Sequence, residues 1–408
     1  MDKATFYASA RDDLSGPLHG IRVIECTTAW AGPMAGCLLA DLGAEVIKVE
    51  HPTGEMARHI GPFVPGDSEL SLMNETVNRN KRSLSLNMKE PEGREVILKL
   101  AKSADVFLQN FKPGTMASWG LGYEDIKNVK KDIVYTSVSG FGQFGPHHQR
   151  AGYDPLVQAQ SGWMSLNGEI DGGPIKGPTF VGDDLGGLHG ALATLAALRH
   201  RDVTGEGQHL DVSLMDSIFS ACNMFPSLAK LGENCDRMGN EFSTTAPFNV
   251  YECEDGYVYL GMSLDRHWKT LLQLMGREDL LEDRKFSSMD LRLDNREEVD
   301  SIVADWCLKN SQEEVVTLCG EQGLPVAPVN TFGESVMDPN IEERGALLEV
   351  ELSDGNTIPL LGPAAKFSRT PTYIRNPAPP LGRDNTDIFN ELGLDSAQQQ
   401  DLKDRGVT

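Results

Sequence analysis

The first 140 residues alternate between short apolar strands and helix-like segments, and this alternation constrains the fold most. Strands are predicted at residues 21–25, 45–50, 83–86, 105–109 and 133–138, and a further strand-like run covers 209–214. Strands that alternate with helices favour a parallel sheet with helices packed on its faces. The chain is therefore predicted to be an α/β protein with a Rossmann-like parallel sheet in its large domain.

A change of pattern near residue 248 indicates a second domain. Residues 248–264 resemble a β-hairpin with Asp255-Gly256 at its turn. We therefore predict a large domain over residues 1–234 and a smaller α+β domain over residues 235–335. Residues 336–408 are rich in proline, which predicts an extended C-terminal segment that returns to the large domain.

Charge and cysteine content limit the partners of the chain. The 408 residues include 37 basic and 60 acidic residues, for a net charge of -23, which disfavours nucleic acids and anionic membranes as partners. The seven cysteines form no C-x-x-C pair or zinc-type spacing, so no metal site is predicted. With no signal peptide and no apolar run of roughly 20 residues, a cytoplasmic protein with reduced thiols is expected.

Ligands of a parallel sheet bind beyond the carboxyl ends of its strands. Here those positions are residues 27–34, His51, 87–89, 110–112 and 139–142. The loop after the first strand contains Ala-Gly-Pro instead of G-x-G-x-x-G, and the chain has no Walker loop, G-x-S-x-G elbow or H-E-x-x-H helix. The common motifs for hydride transfer, P-loop phosphoryl transfer, serine hydrolysis and zincin chemistry are therefore missing.

Two adjacent carboxylates, Asp183 and Asp184, lie between glycines before an apolar helical run at residues 188–198. We predict a turn here, because glycines on both sides leave the backbone open to a substrate. The helix that follows would offer unpaired N–H groups, which keep a nearby carboxylate ionised. One of the two aspartates is then a candidate nucleophile. Taken alone, the pattern favours simple N-capping, which is the commoner role of Asp at such a position.

Several further motifs occur in a characteristic order. They are Ala31-Gly32-Pro33, the run from Leu39 to Glu50, Asn80-Lys81-Arg82-Ser83, Asn110-Phe111-Lys112-Pro113-Gly114 and the run from Thr204 to Asp211. With these motifs the chain resembles the family III CoA-transferases, the relatives of formyl-CoA transferase and carnitine CoA-transferase. The resemblance implies an enzyme whose catalytic aspartate is Asp183 and not Asp184. It also implies acyl-CoA and a carboxylic acid as substrates, with no permanently bound cofactor.

The same resemblance implies a set of CoA contacts, which fall at the strand ends chosen above. Ser118 and Ser139 stand where relatives often have basic residues, so Lys89, Lys112 and His51 are expected to carry more of the phosphate binding. The implied contacts are Trp30, Ala31, His51, Leu86, Asn87, Met88, Lys89, Asn110, Phe111, Lys112, Ser139, Gly140, Phe141 and Gly142.

The implied reaction passes through an aspartyl anhydride and an aspartyl-CoA thioester on Asp183. Backbone N–H groups near Gly186 and Gly187 are expected to stabilise the oxyanions. By similarity we expect succinyl-CoA as donor and benzylsuccinate, or a related aryl- or dicarboxylic acid, as acceptor. The family forms interlocked dimers, so the expected partner is a second copy of the chain or a paralogous subunit.

Two other functions stay open at this stage. The fold also hosts acyl-CoA racemases, in which a histidine precedes an aspartate where this chain has Tyr153 and Asp154. Because tyrosine replaces that acid-base partner, the racemase is the lesser alternative, and the two residues are expected to form a packed, hydrogen-bonded pair. The other alternative is a non-catalytic subunit of a heteromeric CoA-transferase, which the Asp183 motif disfavours.

Overall fold

The computed structural model describes residues 1–352 and 355–408. In chain order its strands are β1 Arg22–Cys26, β2 Glu45–Glu50, β3 Lys81–Ser85, β4 Val106–Gln109, β5 Val134–Ser139, β6 His209–Ser213, β7 Phe248–Glu252, β8 Tyr257–Gly261, β9 Val326–Pro328, β10 Leu347–Glu351 and β11 Thr357–Leu361.

Short 3₁₀ turns at Met56–Arg58, Glu278–Leu280 and Arg284–Phe286 accompany the α-helices. In chain order these helices are α1 Lys3–Phe6, α2 Ala31–Asp41, α3 Leu72–Asn78, α4 Pro91–Ala101, α5 Thr115–Ser118, α6 Tyr123–Val129, α7 Asp154–Gln160, α8 Trp163–Leu166, α9 Val181–Thr204, α10 Leu214–Ser220, α11 Phe225–Leu231, α12 Asp265–Leu274, α13 Met289–Asp294, α14 Arg296–Cys307, α15 Gln312–Glu321, α16 Phe332–Ser335, α17 Pro339–Glu343, α18 Asn385–Glu391 and α19 Ser396–Asp404.

A six-stranded sheet in the order β3-β2-β1-β4-β5-β6 forms the centre of the larger unit, and all its neighbouring strands run parallel. Apolar side chains of α4 and α6 cover one face, and those of α2 and α9 cover the other. The predicted α/β class and Rossmann-like parallel sheet are confirmed. The strand order reverses between β1 and β4. In an open parallel sheet, the crevice in which ligands bind lies at such a point, outside the carboxyl ends of the strands.

The chain divides into two compact units. The larger consists of residues 1–164, 176–231 and 342–408, and the smaller of residues 165–175 and 232–341. In the smaller unit, the antiparallel sheet β7-β8-β9 packs with α12, α14 and α15 around the buried Trp268. From the sequence we placed residues 165–175 in the large domain. They belong with the smaller unit, because the Arg237 guanidinium donates to the carbonyls of Ser165, Glu169 and Gly172.

The C-terminal segment is less extended than predicted from its prolines. It contains the hairpin β10–β11 and the helices α18 and α19. The Ser83 N–H donates to Asp384 Oδ2 over 2.8 Å, and the Ser85 N–H donates to Asn385 Oδ1 over 2.8 Å. These side chains accept hydrogen bonds from backbone N–H groups of the edge strand β3, which has no neighbouring strand on that side to accept them.

None of the helices in the described ranges 1–352 and 355–408 has the length and apolar character that crossing a membrane requires. No group of three or more His, Cys, Asp or Glu side chains in these ranges is placed to hold a metal ion.

Candidate active site

The loop after β1, residues 27–30, is fixed at the crevice between β1 and β4. The Thr28 N–H donates to Asn110 Oδ1 over 2.8 Å, and Asn110 Nδ2 returns a 2.8 Å bond to the Thr28 carbonyl. The Ala29 N–H donates to Glu55 Oε2 over 3.0 Å, and Ala29 adopts a φ of 66°. Because side chains from two other segments bind the backbone of Thr28 and Ala29, the residue that follows them, Trp30, is held in one position.

Beneath this loop lies a cluster of buried charges. Glu25 accepts from Lys48 Nζ at 3.1 Å and contacts Lys81 Nζ at 2.7 Å, and all three side chains are buried. Burial opposes the charge of Lys48, but the carboxylates of Glu25, Glu55 and Glu50 together outweigh it and raise the pKa of Lys48. Lys48 Nζ also donates to the Thr27 carbonyl over 2.9 Å. The cluster leaves no spare room, because a Cβ on Gly36 would lie 1.8 Å from Glu25 Oε2.

Asp183 and Asp184 lie in the first turn of α9, and not in a turn before the helix as the sequence predicted. The helix begins at Val181, and the Asp184 N–H already bonds to the Phe180 carbonyl over 2.8 Å. Both carboxylates therefore lie at the positive end of a 24-residue helix. The Trp30 indole N–H donates to Asp184 Oδ1 over 2.6 Å, which links the β1 loop to this helix start.

The electrostatics of the two carboxylates differ. Burial is the largest cause that raises the pKa of Asp183 to about 7, and the charges of Asp154 and Asp184 act in the same direction. Burial also raises the pKa of Asp184, but the hydrogen bond from Trp30 opposes this shift. Near neutral pH the protonated and ionised forms of Asp183 are thus both populated. Its ionised form is more basic than an ordinary aspartate.

Asp154 and Tyr153 do not form the pair that the sequence predicted. Asp154 is buried, and its carboxylate accepts from the Gly182 N–H at 2.8 Å and from Gln158 Nε2 at 2.7 Å. Tyr153 is 60% exposed. The reason is the position of both residues at the start of α7, where Asp154 points towards α9 while Tyr153 lies before the helix.

The glycines after Asp183 pack the helix and do not form an oxyanion hole. Gly186 and Gly187 lie inside α9, where backbone N–H groups bond to carbonyls four residues earlier. A Cβ on Gly186 would lie 2.1 Å from Leu214 Cδ2, and one on Gly187 would lie 2.9 Å from Met34 Cβ. The glycines are therefore explained by the close approach of α2 and α10, and the predicted role in oxyanion binding is withdrawn.

A cavity of about 280 Å³ lies at the ends of β2 and β3, beside the β1 loop. Lys89 Nζ lies there 5.5 Å from the centre of the Trp119 ring, and Thr28 and Glu55 also line the cavity. A larger opening of about 600 Å³ near Glu75 contains none of the predicted site residues. Six of the predicted CoA contacts line it: His51, Leu86, Asn87, Met88, Lys89 and Phe111.

The other predicted contacts have varied surroundings. Trp30 packs edge-to-face on Phe180, and Asn110 holds the β1 loop. Lys112 is exposed. Ala31 is the buried first residue of α2. The other four predicted contacts lie at or just after the end of β5. Ser139 accepts a hydrogen bond from Gln143 Nε2 at 3.3 Å, a Cβ on Gly140 would lie 2.5 Å from Gly152 Cα, Phe141 packs edge-to-face on His147, and Gly142 adopts a φ of 81° beside Asp211.

The sequence did not single out Thr28, Glu55 or Trp119, which line the cavity, or the role of Asp154. Thr28 lies within the strand-end segment 27–34, so position alone could have identified it. Glu55 and Trp119 come from connecting segments with no motif of their own. Their contribution follows from tertiary packing.

Comparison with known proteins covers nearly the whole chain. The family model described as CoA-transferase family III matches residues 18–385. The succinate–glutarate CoA-transferase of Agrobacterium fabrum is 36% identical over 384 residues, which span 92% of this chain and 96% of that protein. The succinyl-CoA:mesaconate CoA-transferase of Haloarcula marismortui is 35% identical and covers 93% of this chain and 98% of its own length.

Solved structures agree with these sequence matches. The crystal structure of a CAIB/BAIF family protein from Brucella suis superposes with a TM-score of 0.83 at 32% identity, and covers 93% of this chain and all of that one (100%). A crystal structure of a Mycobacterium tuberculosis protein gives a TM-score of 0.83 at 31% identity, over 92% of this chain and 99% of that one. Since the family model and the relatives both span almost the entire sequence, the protein belongs to CoA-transferase family III, as its motifs predicted.

Proposed function

We propose that the protein transfers CoA from succinyl-CoA to a free dicarboxylic acid, with Asp183 as the nucleophile. The observation that carries this proposal is the state of Asp183, a half-buried carboxyl at a helix start whose pKa is raised to about 7. In the described part of the chain no side chain donates a hydrogen bond to Asp183, whereas Trp30 binds Asp184. Asp183 is therefore the free nucleophile of the two, and Asp184 is held in place.

The first half-reaction transfers CoA to the enzyme. An Asp183 oxygen attacks the thioester carbonyl of succinyl-CoA, the C–S bond breaks, and CoA leaves as a thiolate. The product is a mixed anhydride of Asp183 and succinate. The thiolate then attacks the Asp183 carbonyl carbon, which releases succinate and leaves an aspartyl-CoA thioester.

The second half-reaction returns Asp183 to its initial state. The carboxylate of the acceptor acid attacks the aspartyl thioester, and CoA leaves again as a thiolate. The thiolate attacks the acceptor's acyl carbon in the new anhydride, which forms the acceptor's CoA thioester and frees the Asp183 carboxylate. No proton is gained or lost over the cycle, but water must be excluded because it would hydrolyse either anhydride.

We propose that CoA binds at the cavity beside the β1 loop. The cavity is lined by apolar and polar groups from the ends of β2 and β3, with Lys89 and His51 among them. The net charge of -23 repels an anionic ligand, so local cations are needed to hold the phosphates. Lys89, His51 and the exposed Lys112 are the proposed phosphate ligands.

The names of the relatives support a dicarboxylic acid as acceptor. They include transferases for glutarate, mesaconate, L-malate and D-citramalate, each paired with succinate or succinyl-CoA. Benzylsuccinate, which carries the same two carboxylates on a bulkier skeleton, remains a prediction. A panel of these acids, assayed with succinyl-CoA, ranks them by kcat/KM. Efficient transfer only to monocarboxylic acids would contradict the proposed acceptor class.

We propose that two copies of the chain form the interlocked dimer of the family. Leu188 and Leu192, one turn apart on α9, are 52% and 59% exposed, and exposed apolar pairs of this kind support a protein contact. One relative is named a beta subunit, so a paralogous partner is the other outcome. Light scattering on the purified chain separates the two, since a homodimer has twice the 44.6 kDa of one chain.

Trapping the covalent intermediate tests the proposed function directly. The purified chain is incubated with succinyl-CoA and hydroxylamine, which converts an anhydride or thioester on Asp183 to a hydroxamate. Mass spectrometry should locate the hydroxamate at Asp183 in the parent and find none in Asp183→Ala. Normal exchange by a folded Asp183→Ala variant would refute the mechanism. No hydroxamate with any donor, alone or with a partner chain, would favour the racemase or non-catalytic alternatives.

A further inference from the structure

A buried carboxylate lies directly behind the start of the catalytic helix. Asp154 is the first residue of α7 and is 2% exposed. Its Oδ1 accepts the Gly182 N–H at 2.8 Å, and its Oδ2 accepts Gln158 Nε2 at 2.7 Å. Gly182 immediately precedes Asp183, so Asp154 binds the backbone one residue from the proposed nucleophile.

Gln158 extends this contact to the segment that leads into α9. Its Oε1 accepts the Gly177 N–H at 2.9 Å, and its Nε2 also approaches the Thr179 carbonyl at 3.4 Å. The Asp154–Gln158 pair, two side chains one turn apart on α7, thus binds the backbone at residues 177, 179 and 182. The Asp154 carboxylate only accepts hydrogen bonds, and the Gln158 amide uses its nitrogen as donor and its oxygen as acceptor. The pair therefore has a single hydrogen-bonding arrangement.

The absence of a side chain at Gly182 is part of the same arrangement. A Cβ there would lie 2.8 Å from Val157 Cγ2 and 3.2 Å from Asp154 Oδ1. The backbone of α9 can therefore approach α7 closely enough for the bond from Gly182 to Asp154. A side chain at this position would force either Val157 or the first turn of α9, and Asp183 with it, to shift.

We propose that Asp154 is a positioning residue for the transfer reaction: it fixes the first turn of α9 and places its buried carboxylate behind Asp183. The inference rests on the proposed function of Asp183. Of the described residues, the charged groups that act on Asp183 are Asp154, from α7, and Asp184, from its own helix. A second anion behind Asp183 makes its carboxylate harder to ionise and, once ionised, a stronger nucleophile.

The pH dependence of the reaction separates this role from simple packing. The test measures kcat/KM for exchange from succinyl-CoA between pH 5.5 and 9.5, in the parent, Asp154→Asn and a matched control. Asn keeps an oxygen for the Gly182 N–H and removes the charge, so the midpoint of the acidic limb should move about one to two pH units lower. The control Asp202→Asn removes an exposed charge near the other end of α9 and should leave the midpoint in place.

A second variant tests the geometric part alone. Gly182→Ala retains the Asp154 charge but forces a Cβ against Val157, so kcat at pH 9 should fall about tenfold or more while the midpoint stays unchanged. An unshifted midpoint in a folded Asp154→Asn protein overturns the proposal, as does a parent-like kcat in Gly182→Ala. Where Asp154→Asn does not fold, the Gly182→Ala result decides.

A readout without activity separates this inference from the proposed function. A parent chain with no exchange means that the proposed function fails. The influence of Asp154 is then measured through stability. The Tm difference between Asp183→Asn and its parent is followed against pH, and the pH at which this difference becomes constant is recorded. With Asp154→Asn present in both proteins, that pH should be lower. An unchanged plateau pH overturns the inference about Asp154 whatever reaction the protein performs.

Discussion

Replacing Asp183 with asparagine should abolish transfer and make the folded protein more stable above neutral pH. The pKa of Asp183 rises from its ordinary 3.8 to about 7 on folding. A raised pKa adds stability that is complete below pH 3.8 and is lost as the pH rises through 7. At about 1.36 kcal/mol per unit, ionising this carboxyl in the folded chain costs about 4 kcal/mol above pH 8. This figure is an upper limit, since solvent reaches part of the group.

Thermal denaturation at a fixed protein concentration measures this effect. About half of the cost is already present at pH 5.5, so the advantage of Asp183→Asn should grow by about 2 kcal/mol between pH 5.5 and pH 8.5. An unfolding entropy of about 2.1 cal/mol/K per residue gives about 0.6 kcal/mol/K for the larger unit. The Tm difference between variant and parent should then widen by about 3 °C and stay constant above pH 8.5.

The exposed Asp202, also on α9, supplies a control for the loss of one carboxyl. Asp202→Asn should give a Tm difference that does not widen in the same pH range. If the Tm difference of Asp183→Asn is equal at pH 5.5 and 8.5, Asp183 does not titrate near pH 7 in the folded protein. The account of its reactivity given above would then be wrong.

Three further substitutions test the surroundings of the site. Lys89→Ala should raise KM for succinyl-CoA about threefold to tenfold with less effect on kcat; an unchanged KM removes Lys89 from the CoA site. Trp30→Phe removes the N–H that Asp184 accepts and should lower the free energy of unfolding by about 1 kcal/mol in urea titrations; equal stability would show that this bond contributes nothing. Gly36→Ala drives a Cβ into Glu25 and should cost about 3–5 kcal/mol; a loss below 1 kcal/mol would show that the charge cluster can rearrange.

The sheet could be predicted from the sequence because its strands are short apolar runs bounded by Gly, Pro or Asn. The error at β3, predicted to start at Ser83 but starting at Lys81, has a clear cause. Charged residues such as Lys81 and Arg82 are usually solvent-exposed in proteins, yet Lys81 is buried against Glu25. Charged side chains that pair inside the protein carry no sign of burial in a single sequence.

The start of α9 was misplaced for a different reason. Glycines at 182, 186 and 187 have low helix propensity, so the sequence indicated a turn there. In the structure the same glycines let α9 approach α2, α7 and α10 closely, and packing outweighs the local preference. Asp183 was expected in a turn just before a helix and lies in the first turn of that helix, and its pKa and its link to Asp154 depend on neighbours about 30 residues away.

The candidate CoA contacts implied by the resemblance fall at strand ends, and this position explains why six of them line one cavity. His51, Leu86 and Lys89 follow β2 and β3 directly, and they line the same cavity. Lys112 and Gly142 lie in loops whose paths depend on contacts outside the sheet. The sequence contains no signal for those paths.

The side chains that cover the β3 edge come from the C-terminal end of the chain, so the edge of a sheet whose first strands are synthesised early is covered only at the end of synthesis. The acceptor of the Ser83 N–H is Asp384, which lies 301 residues further along the chain. During synthesis the first strands leave the ribosome long before residues 384 and 385 exist, so the β3 edge is open for most of the time that translation takes. An exposed parallel edge can recruit another chain. We therefore expect the yield of folded protein to depend on how quickly the last segment reaches that edge, a kinetic requirement separate from the stability of the finished fold.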